Sequence, residues 1–437
     1  MTNAQAPFGR GPALATLRTI PTPWTPYAIV FSRDGGRLAI GGGAHRGRGG
    51  IMLVDHSSGH STLFSHEDLP QLGGGTVSGL CFSADGKHLV ASIWGSDERG
   101  GRVVVFAVDG LELHHGHAIE MDYSGLARSI ALASSVALHE GTALVRNHRS
   151  VVADMILAVP LPDDVDRGLV QPFGSQRLVV VGDRVITGNQ GELEALEDPP
   201  YIGQYARGRL VVAAVDNLGS PEVINVEDTS SISAVARVGD RLISGGRRGE
   251  LDAWSLDGRW QRQRVRDALQ PEPPLDTSLG FTESYQVESI VDICAIPHGG
   301  AASVSIGGEL CLFDAATSFV SHVAPGPGSP RSLAAHPDGG ALAIGIKQRG
   351  ITAPRSVVVV LDLRTPIAPA WRSPAVRSLA EVAARGDADA FSVLADALEA
   401  AGGDPELLRH LRHHDHALKS CWIVDALVAG APSRPGA

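Results

Sequence analysis

Cysteine is scarce in this chain, and it is never paired in the way that zinc or redox sites require. Only four cysteines occur among 437 residues, Cys81, Cys294, Cys311 and Cys421, and no C-x-x-C pair is present. The first three lie inside apolar, strand-like runs. This placement predicts reduced thiols in a hydrophobic core and excludes a disulfide or redox framework.

Long apolar runs and a positive charge balance are also missing. No segment approaches the roughly 20 apolar residues that a membrane helix needs, and the N-terminal sequence has no charged head followed by an apolar run. The formal net charge is −11, which argues against an overall preference for nucleic acid or an anionic membrane. We therefore expect a cytoplasmic, soluble protein whose partner is neither a membrane nor a nucleic acid.

Motifs that carry chemistry are absent from the sequence. It contains no G-x-S-x-G element, no P-loop order and no H-E-x-x-H pattern. The cluster from His410 to His416 offers no third ligand group, so a solvated basic segment is favoured over a metal site. The glycine-rich segment 45–50 precedes no helix and is interpreted as an extended turn. We expect no enzyme activity, no catalytic residue, no bound metal and no cofactor.

What the sequence does contain is an internal repeat. Phe31-Ser-Arg-Asp-Gly-Gly-Arg-Leu-Ala-Ile-Gly returns, in related form, from Phe82 and again from Ala335. Each copy is an apolar strand, an Asp-Gly turn and a second apolar strand. Such a β-hairpin cannot bury its faces alone, so the copies are expected to stack on one another.

A second marker, a glycine followed by a short alternating strand, lies downstream of each hairpin. Its copies begin at Gly50, Gly101, Gly191, Gly249 and Gly308. Two more strands, 151–159 and 356–362, fit the series without the glycine. The intervals are close to the roughly 40 to 50 residues of a four-stranded blade. The predicted fold class is therefore all-β, a seven-bladed β-propeller followed by a small helical domain.

The N-terminal and C-terminal ends of the predicted ring are expected to pair. Prolines follow the last marker strand at Pro366, Pro369 and Pro374, so the seventh blade lacks an outer strand, whereas the strand-like segment 14–20 precedes the first blade. An open ring would leave two unpaired sheet edges. We predict that the N-terminal strand completes the seventh blade and closes the ring.

Over roughly residues 14–364 the hairpins resemble the WD40 family, whose blades carry an F-S-x-D-G-x-x-L-A-S-G core and end in Trp-Asp. Only Trp254 occupies the Trp position, while Val54-Asp55 and Phe313-Asp314 replace the dipeptide elsewhere. The family's Gly-His before the inner strand is missing, so its buried Asp-His-Ser-Trp chain is not expected here. Together with an Ala-, Gly-, Arg- and Asp-rich composition, the resemblance implies a bacterial WD40-like ring.

From Pro374 the apolar period changes from two residues to about 3.6. This predicts four short helices, the second ended by Gly402-Gly403 and the third opened by Asp404-Pro405. The phrase Val393-Leu-Ala-Asp-Ala-Leu-Glu-Ala-Ala-Gly, with the segment from Cys421, resembles helical repeat-companion domains attached to many bacterial proteins. That resemblance implies an adaptor or packing element.

Candidate partner-binding residues lie in the predicted outer strand of the fifth blade. Arg259, Arg262 and Arg264 surround Trp260 there. Arginines beside an aromatic residue can bind a partner, but charge on an outer strand also protects a sheet edge from aggregation. Edge protection is the first interpretation, a protein-binding patch the second and a nucleic-acid site the last.

Two long loops supply the remaining candidates. Tyr201 lies in the loop 195–208, and Phe281 and Tyr285 lie in the loop 270–286. Long loops on a rigid scaffold are commonly functional. We expect the second loop to be a partner-contact or protease-accessible segment.

The predicted organisation has five parts. They are a disordered N-terminus (1–13), the propeller (14–365), a linker (366–373), the helical appendage (374–430) and a disordered tail (431–437). The predicted function is a non-enzymatic interaction scaffold or regulatory partner that binds one or more proteins. Two alternatives are a ligand-sensing or hydrolytic propeller with a site at the central channel, and an inhibitory or sequestering subunit of a bacterial signalling or defence system.

Overall fold

The structure is a computed structural model, and it describes most of the repeat region and parts of the tail. The described residues are 14–43, 49–94, 101–120, 132–139, 142–148, 155–160, 178–190, 207–230, 232–266, 289–297, 300–313, 319–323, 328–348, 356–364, 371, 373–385, 387–403, 408, 411–412 and 421–428.

The repeated Asp-Gly turns form because an aspartate closes each one. In the first copy, the Asp34 carboxylate accepts hydrogen bonds from the Ser32 hydroxyl at 2.7 Å and the Gly36 amide at 3.0 Å. Gly35 has φ 70°, a conformation that favours glycine. Asp85 makes the equivalent bonds in the second copy. The repeat is therefore a turn-forming unit that joins two antiparallel strands.

These hairpins extend into seven antiparallel sheets within the described residues. The chain starts with β1 (Thr16–Thr22). The first sheet contains β2 (Thr25–Phe31), β3 (Arg37–Gly43), β4 (Gly49–Asp55) and β5 (Ser61–Ser65). The second contains β6 (Thr76–Phe82), β7 (His88–Trp94), β8 (Arg102–Asp109) and β9 (Glu112–Glu120). The third contains β10 (Leu132–His139), β11 (Thr142–His148) and β12 (Met155–Pro160).

The remaining sheets follow the same chain order. The fourth contains β13 (Leu178–Val181), β14 (Arg184–Gln190), β15 (Arg207–Ala214) and β16 (Asn217–Ser230). The fifth contains β17 (Ile232–Val238), β18 (Arg241–Gly246), β19 (Leu251–Ser255) and β20 (Arg262–Arg266). The sixth contains β21 (Ile290–Ile296), β22 (Gly300–Ser305), β23 (Glu309–Phe313) and β24 (Phe319–Val323). The seventh contains β25 (Ser329–Ala335), β26 (Ala341–Lys347) and β27 (Ser356–Asp362).

The N-terminal strand joins the end of the repeat region. β1 pairs antiparallel with β27, with Ile20 opposite Val358 and Thr22 opposite Ser356. The seventh sheet therefore has four strands in the order β1, β27, β26, β25. This is the pairing that the sequence predicts for the N-terminal segment.

The first strand of each sheet contacts the first strand of the next. These inner strands, β2, β6, β10, β13, β17, β21 and β25, contact one another in that order, and β25 also contacts β2. Each described hydrophobic cluster of the sheet region combines side chains from two neighbouring sheets. Along β2, Ala28 and Val30 pack toward the second sheet, whereas Ile29 and Phe31 pack toward the seventh. Strand alternation thus gives each sheet two buried faces, as in a propeller-like fold.

The third strand of the fourth sheet does not lie where the marker series places it. It is β15, at Arg207–Ala214, and not the marker segment 191–195. The Gly-Glu-Leu pattern is shared with the fifth sheet, but the strand that pairs with β14 lies further along the chain. Residues 191–206 themselves lie outside the described part.

Helices follow the last strand. α1 (Pro374–Ala384) and α2 (Ala388–Ala400) begin at the N-caps Ser373 and Asp387, and α3 spans Trp422–Val428. Their apolar faces meet in one cluster that includes Phe391, Leu394 and Ile423. Within the described residues no helix has the length and hydropathy to cross a membrane.

Candidate functional site at the bulged ends of the inner strands

A β-bulge recurs at the same place in the inner strands. In six of the seven, strand pairing skips one residue near the end where the strand begins. We call these residues the bulge rim: Tyr27, Ser78, Ser134, Ser233, Val291 and Arg331. In the fourth sheet the equivalent position precedes Leu178 and lies outside the described residues. Bulges redirect side chains and are common at barrel rims and beside functional sites.

Hydrogen bonds between sheets fix the relative positions of the rim residues. The Ser332 hydroxyl donates to the Pro26 carbonyl at 2.9 Å, which places the bulges at Arg331 and Tyr27 next to each other. The Ser233 hydroxyl donates to the Ile290 carbonyl, beside the bulge at Val291. The Leu333 amide donates to the buried Asp292 carboxylate at 2.7 Å and connects the sixth and seventh sheets. Hydrogen bonds between sheets therefore hold the part of the rim from Ser233 through Val291 and Arg331 to Tyr27.

The rim presents both polar and cationic groups. Tyr27, Ser78, Ser233 and Arg331 are partly exposed, and Val291 is buried. Lys347 lies at the same end of the seventh sheet, opposite Ser329. These residue types bind by hydrogen bonding and charge. They supply no acid-base pair of the kind that general acid-base catalysis uses.

One large apolar side chain is exposed at this end of the second sheet. Trp94 is 43% exposed and ends β7, where it pairs with Thr76, two residues before the bulge at Ser78. Tryptophan is among the residues that contribute most to binding at protein interfaces. An exposed Trp94 beside the bulge rim thus adds an apolar anchor to the polar arc.

The structure brings two of the sequence-predicted site residues together at one acid. Arg262 and Arg264 lie on β20, and their Nε atoms are 3.0 and 2.6 Å from the same oxygen of Asp252 on β19. Asp252 is almost completely buried, and Arg262 also lies over the Trp254 ring. Trp260, which has φ 51°, packs against the same cluster as Trp254. These contacts assign the two arginines a structural role, because they neutralise a buried carboxylate.

The other predicted site residues are more separated. Arg259 is exposed in the turn before β20, where its amide donates to the Asp257 carboxylate at 3.0 Å. Tyr201, Phe281 and Tyr285 lie outside the described residues, as does the His410 to His416 cluster apart from Leu411 and Arg412. Partner binding by Arg259, Trp260, Arg262, Arg264 and the three loop aromatics stays a prediction.

Part of the family's hydrogen-bond chain is present in the fifth sheet. The Trp254 indole Nε1 donates to the Ser244 hydroxyl at 2.9 Å, and both groups are buried. The sequence predicts no Asp-His-Ser-Trp chain, and this Ser-Trp link is a partial exception. It arises because Trp254 on β19 lies two residues from Asp252, the partner of Ser244 on β18, so the Trp254 and Ser244 side chains are on the same face of the sheet.

A buried ion pair joins the fifth and sixth sheets. Arg266 Nη1 lies 2.8 Å from the Glu309 carboxylate and 3.1 Å from the Cys311 sulfur, and its Nε donates to the Gly249 carbonyl at 2.7 Å. The Arg266 side chain is 2% exposed and the Glu309 side chain 29%. The pair orients the outer strand of one sheet against the next.

Histidines mark the contact between the seventh and first sheets. His336 Nδ1 lies 2.5 Å from the Asp338 carboxylate and its Nε2 lies 3.0 Å from the Gly35 carbonyl. The His56 ring lies 4.6 Å from the His336 ring, and Phe31 contacts both. Burial, and then the proximity of His336, lowers the pKa of His56 to about 4. His56 is therefore neutral at neutral pH.

Two cysteines of the sheet region are held in the thiol form by burial. Burial raises the pKa of Cys81 to about 12 and raises the pKa of Cys294 well above its usual value. All four cysteines are buried and reduced. Within the described part of the chain, no three His, Cys, Asp or Glu side chains are close enough to bind a metal ion.

Sequence reasoning did not find the bulge rim. A usable signal exists, since a serine followed by a small residue occurs at three of the bulges, in Ser78-Gly79, Ser134-Ser135 and Ser233-Ala234. The signal is short and is replaced at Tyr27, Val291 and Arg331. This serine pattern identifies a bulge only when the strand register is known.

No protein-family model matches the chain, and no curated protein matches it. Among solved structures, a chain from the crystal structure of a mitotic checkpoint complex is similar with a TM-score of 0.50 at 12% sequence identity. The similarity covers 84% of this chain and 98% of that chain. At this identity it shows the fold alone. Together with the antiparallel sheets, it fits a WD40-like propeller.

Proposed function

We propose that this protein is a non-enzymatic scaffold that binds protein partners at the bulge rim of a seven-bladed ring. The observation that carries the proposal is the recurrence of a bulge at one position in six inner strands. A rigid rim loses little conformational entropy when it binds a partner. The fold neighbour comes from a structure of a multi-protein complex, which supports protein partners at a coarse level.

Ring closure is part of the same proposal. Inner-strand contacts run through all seven sheets, β25 contacts β2, and β1 completes the seventh sheet. These contacts support a closed ring in residues 14–365, with 366–373 as linker and 374–430 as a helical domain. The helices share a hydrophobic cluster of their own, which supports a separate packing unit. We also propose a cytoplasmic location, consistent with buried, reduced cysteines.

The test is site-specific photocrosslinking in the full chain. A photoreactive phenylalanine analogue at Ser78 samples the bulge rim, and the same analogue at Leu63, an exposed residue on the outer strand β5, is the matched control. In a lysate of the source cells we expect discrete protein adducts from position 78 and none from position 63. Each adduct should be reproduced with the purified partner. Adducts confined to position 63, or no adduct from position 78, would contradict binding at the rim.

A further inference from the structure

The geometry points to a carboxylate-binding site between Arg331 and Tyr27, so we propose that the partner presents an acidic segment to this part of the rim. The inference rests on the proposed function and adds the chemistry of the partner. It begins with Arg331, the bulge residue of β25. Its guanidinium forms no hydrogen bond or ion pair with any residue that the structure describes, and its Nε is buried without a partner.

Arg209 on β15 also has a buried Nε without a partner among the described residues, but Arg209 does not lie on an inner strand. Buried donors are nearly always satisfied, and an unsatisfied one costs stability, more so when it belongs to a charged group. Arg262, Arg264 and Arg266 in the fifth sheet all have carboxylate partners. Arg331 differs from them because its place is on the inner strand, where a bound partner can supply the missing acceptor.

Neighbouring donors favour the same ligand. The Ser332–Pro26 bond brings the Tyr27 bulge next to Arg331, and neither the Tyr27 hydroxyl nor the Lys347 ammonium has a polar partner among the described residues. The buried Asp292 cannot easily neutralise this set, because its two oxygens already accept from the Ile293 and Leu333 amides. Three donor groups without a polar partner among the described residues thus lie on β2, β25 and β26, at the same end of the first and seventh sheets.

The charge of the whole chain favours a carboxylate on a peptide over nucleic acid. A net charge of −11 repels a polyanion with a phosphate at every nucleotide. One or two side-chain carboxylates on a peptide experience much less repulsion and match the planar guanidinium fork. An acidic peptide segment is therefore the better fit to a small cationic site on an acidic protein.

The experiment is peptide selection against the immobilised full-length protein with a phage-displayed library of random peptides. Binding of the selected peptides is then measured by fluorescence anisotropy for wild type, Arg331→Gln, Tyr27→Phe and the matched control Arg184→Gln, which changes an exposed arginine on β14. We expect peptides enriched in Asp and Glu. We expect Arg331→Gln to weaken their binding about 10- to 100-fold, Tyr27→Phe several-fold and Arg184→Gln less than about twofold. Thermal unfolding verifies that each variant is folded.

Several results would overturn the inference. They are selected peptides without acidic enrichment, no selected peptide, affinities that Arg331→Gln leaves unchanged, or a labelled single-stranded oligonucleotide that binds more tightly than the peptides in an Arg331-dependent way. The proposed function fails separately, through the absence of adducts from position 78. Neutral peptides that bind at the rim would remove only the acidic-partner inference.

Discussion

Two contacts between neighbouring sheets solve the same packing problem differently. The fifth and sixth sheets are joined through a buried ion pair between residues 43 positions apart. The seventh and first sheets are joined through neutral and histidine contacts between residues more than 300 positions apart, Ser332 with Pro26 and His336 with Gly35. Loop-closure entropy grows with the length of chain between contacts. The seventh–first contact therefore needs additional bonds, and the N-terminal strand β1, which pairs with β27, supplies them.

The N-terminal strand β1 distinguishes the seventh–first contact from the fifth–sixth contact. β1 belongs to the seventh sheet by pairing, yet Arg18 on it donates to the backbone carbonyls of His56 and Ser57 in the first. Ile20 packs in the cluster that these two sheets share. One short strand therefore stabilises both sheets of the seventh–first contact, whereas no strand is shared between the fifth and sixth sheets in the described residues.

The largest expected effect comes from removing that strand. Deleting residues 1–23 removes the β1–β27 ladder, exposes the edge of β27 and opens the Ile20 cluster. We expect a loss on the order of 5 kcal/mol or the loss of cooperative folding. Circular dichroism melting and size-exclusion chromatography measure this. Deletion of 1–13, which retains β1, is the control, and equal behaviour of the two deletions would show that β1 is dispensable.

Removing either partner of the Arg266–Glu309 ion pair should lower the free energy of unfolding by different amounts. Glu309→Ala leaves the buried Arg266 charge without its carboxylate, at a cost of about 3 kcal/mol in the free energy of unfolding. Arg266→Met leaves Glu309, which reaches solvent, so we expect a smaller cost of about 1 kcal/mol. Urea denaturation measures both. Equal costs, or a larger cost for Arg266→Met, would contradict this account, and the double variant Arg266→Met/Glu309→Leu should recover much of the loss.

A smaller effect is expected within the fifth sheet. Asp252→Asn removes the charge that Arg262 and Arg264 share, but both guanidinium groups are partly solvated. We expect a loss of about 1 to 2 kcal/mol, measured by urea denaturation. Glu222→Gln, an exposed acid on β16, is the control and should show no measurable change. If Asp252→Asn left the free energy of unfolding unchanged, the two arginines would be held by packing and not by charge.

The smallest effect is a pH dependence of the seventh–first contact. The pKa of His56 is about 4 in the folded protein and about 6.5 in an unfolded chain, so the unfolded state binds the proton first. Stability should therefore be fully present above about pH 6.5 and fall as the pH drops toward 4. Because the ring is partly solvated, we expect a loss on the order of 1 kcal/mol.

A matched variant isolates this contribution. His56→Phe keeps an aromatic ring against Phe31 and His336 but does not titrate. Asp338, Arg18 and Asp55 also act on His56, and the variant leaves them in place. Urea denaturation between pH 7 and 4 should give a flatter stability profile for His56→Phe than for wild type. Parallel profiles would assign the pH dependence to other groups.

The sequence predicts much of the local structure and little of the contacts between sheets. The Asp34 and Asp85 turns are recognisable because the aspartate, the glycine and the flanking apolar residues lie within a few positions of one another. The strand 356–362 and its pairing with the N-terminal strand follow from alternation and from the need to cover sheet edges. The helix from Pro374 follows from its change of period.

Interactions that depend on register are a different matter. The Arg264–Asp252 pair forms only because a bulge shifts the pairing of β20 on β19. The His336–Gly35 contact joins turns separated by almost the whole repeat region. The rim depends on six single-residue insertions that leave no periodic trace. The sequence patterns therefore predict which strands form but not which side chains meet.

The pairing of β1 with β27 has a consequence for synthesis on the ribosome. β1 emerges first, but its partner begins only at residue 356, which at typical translation rates is roughly 20 to 70 s later. During that interval β1 has no pairing partner, and the series of sheets already synthesised has no neighbour at either end. A circular permutant that fuses the native termini and starts between the third and fourth sheets would place β27 and β1 in the middle of translation, and its folding yield would report how costly that wait is.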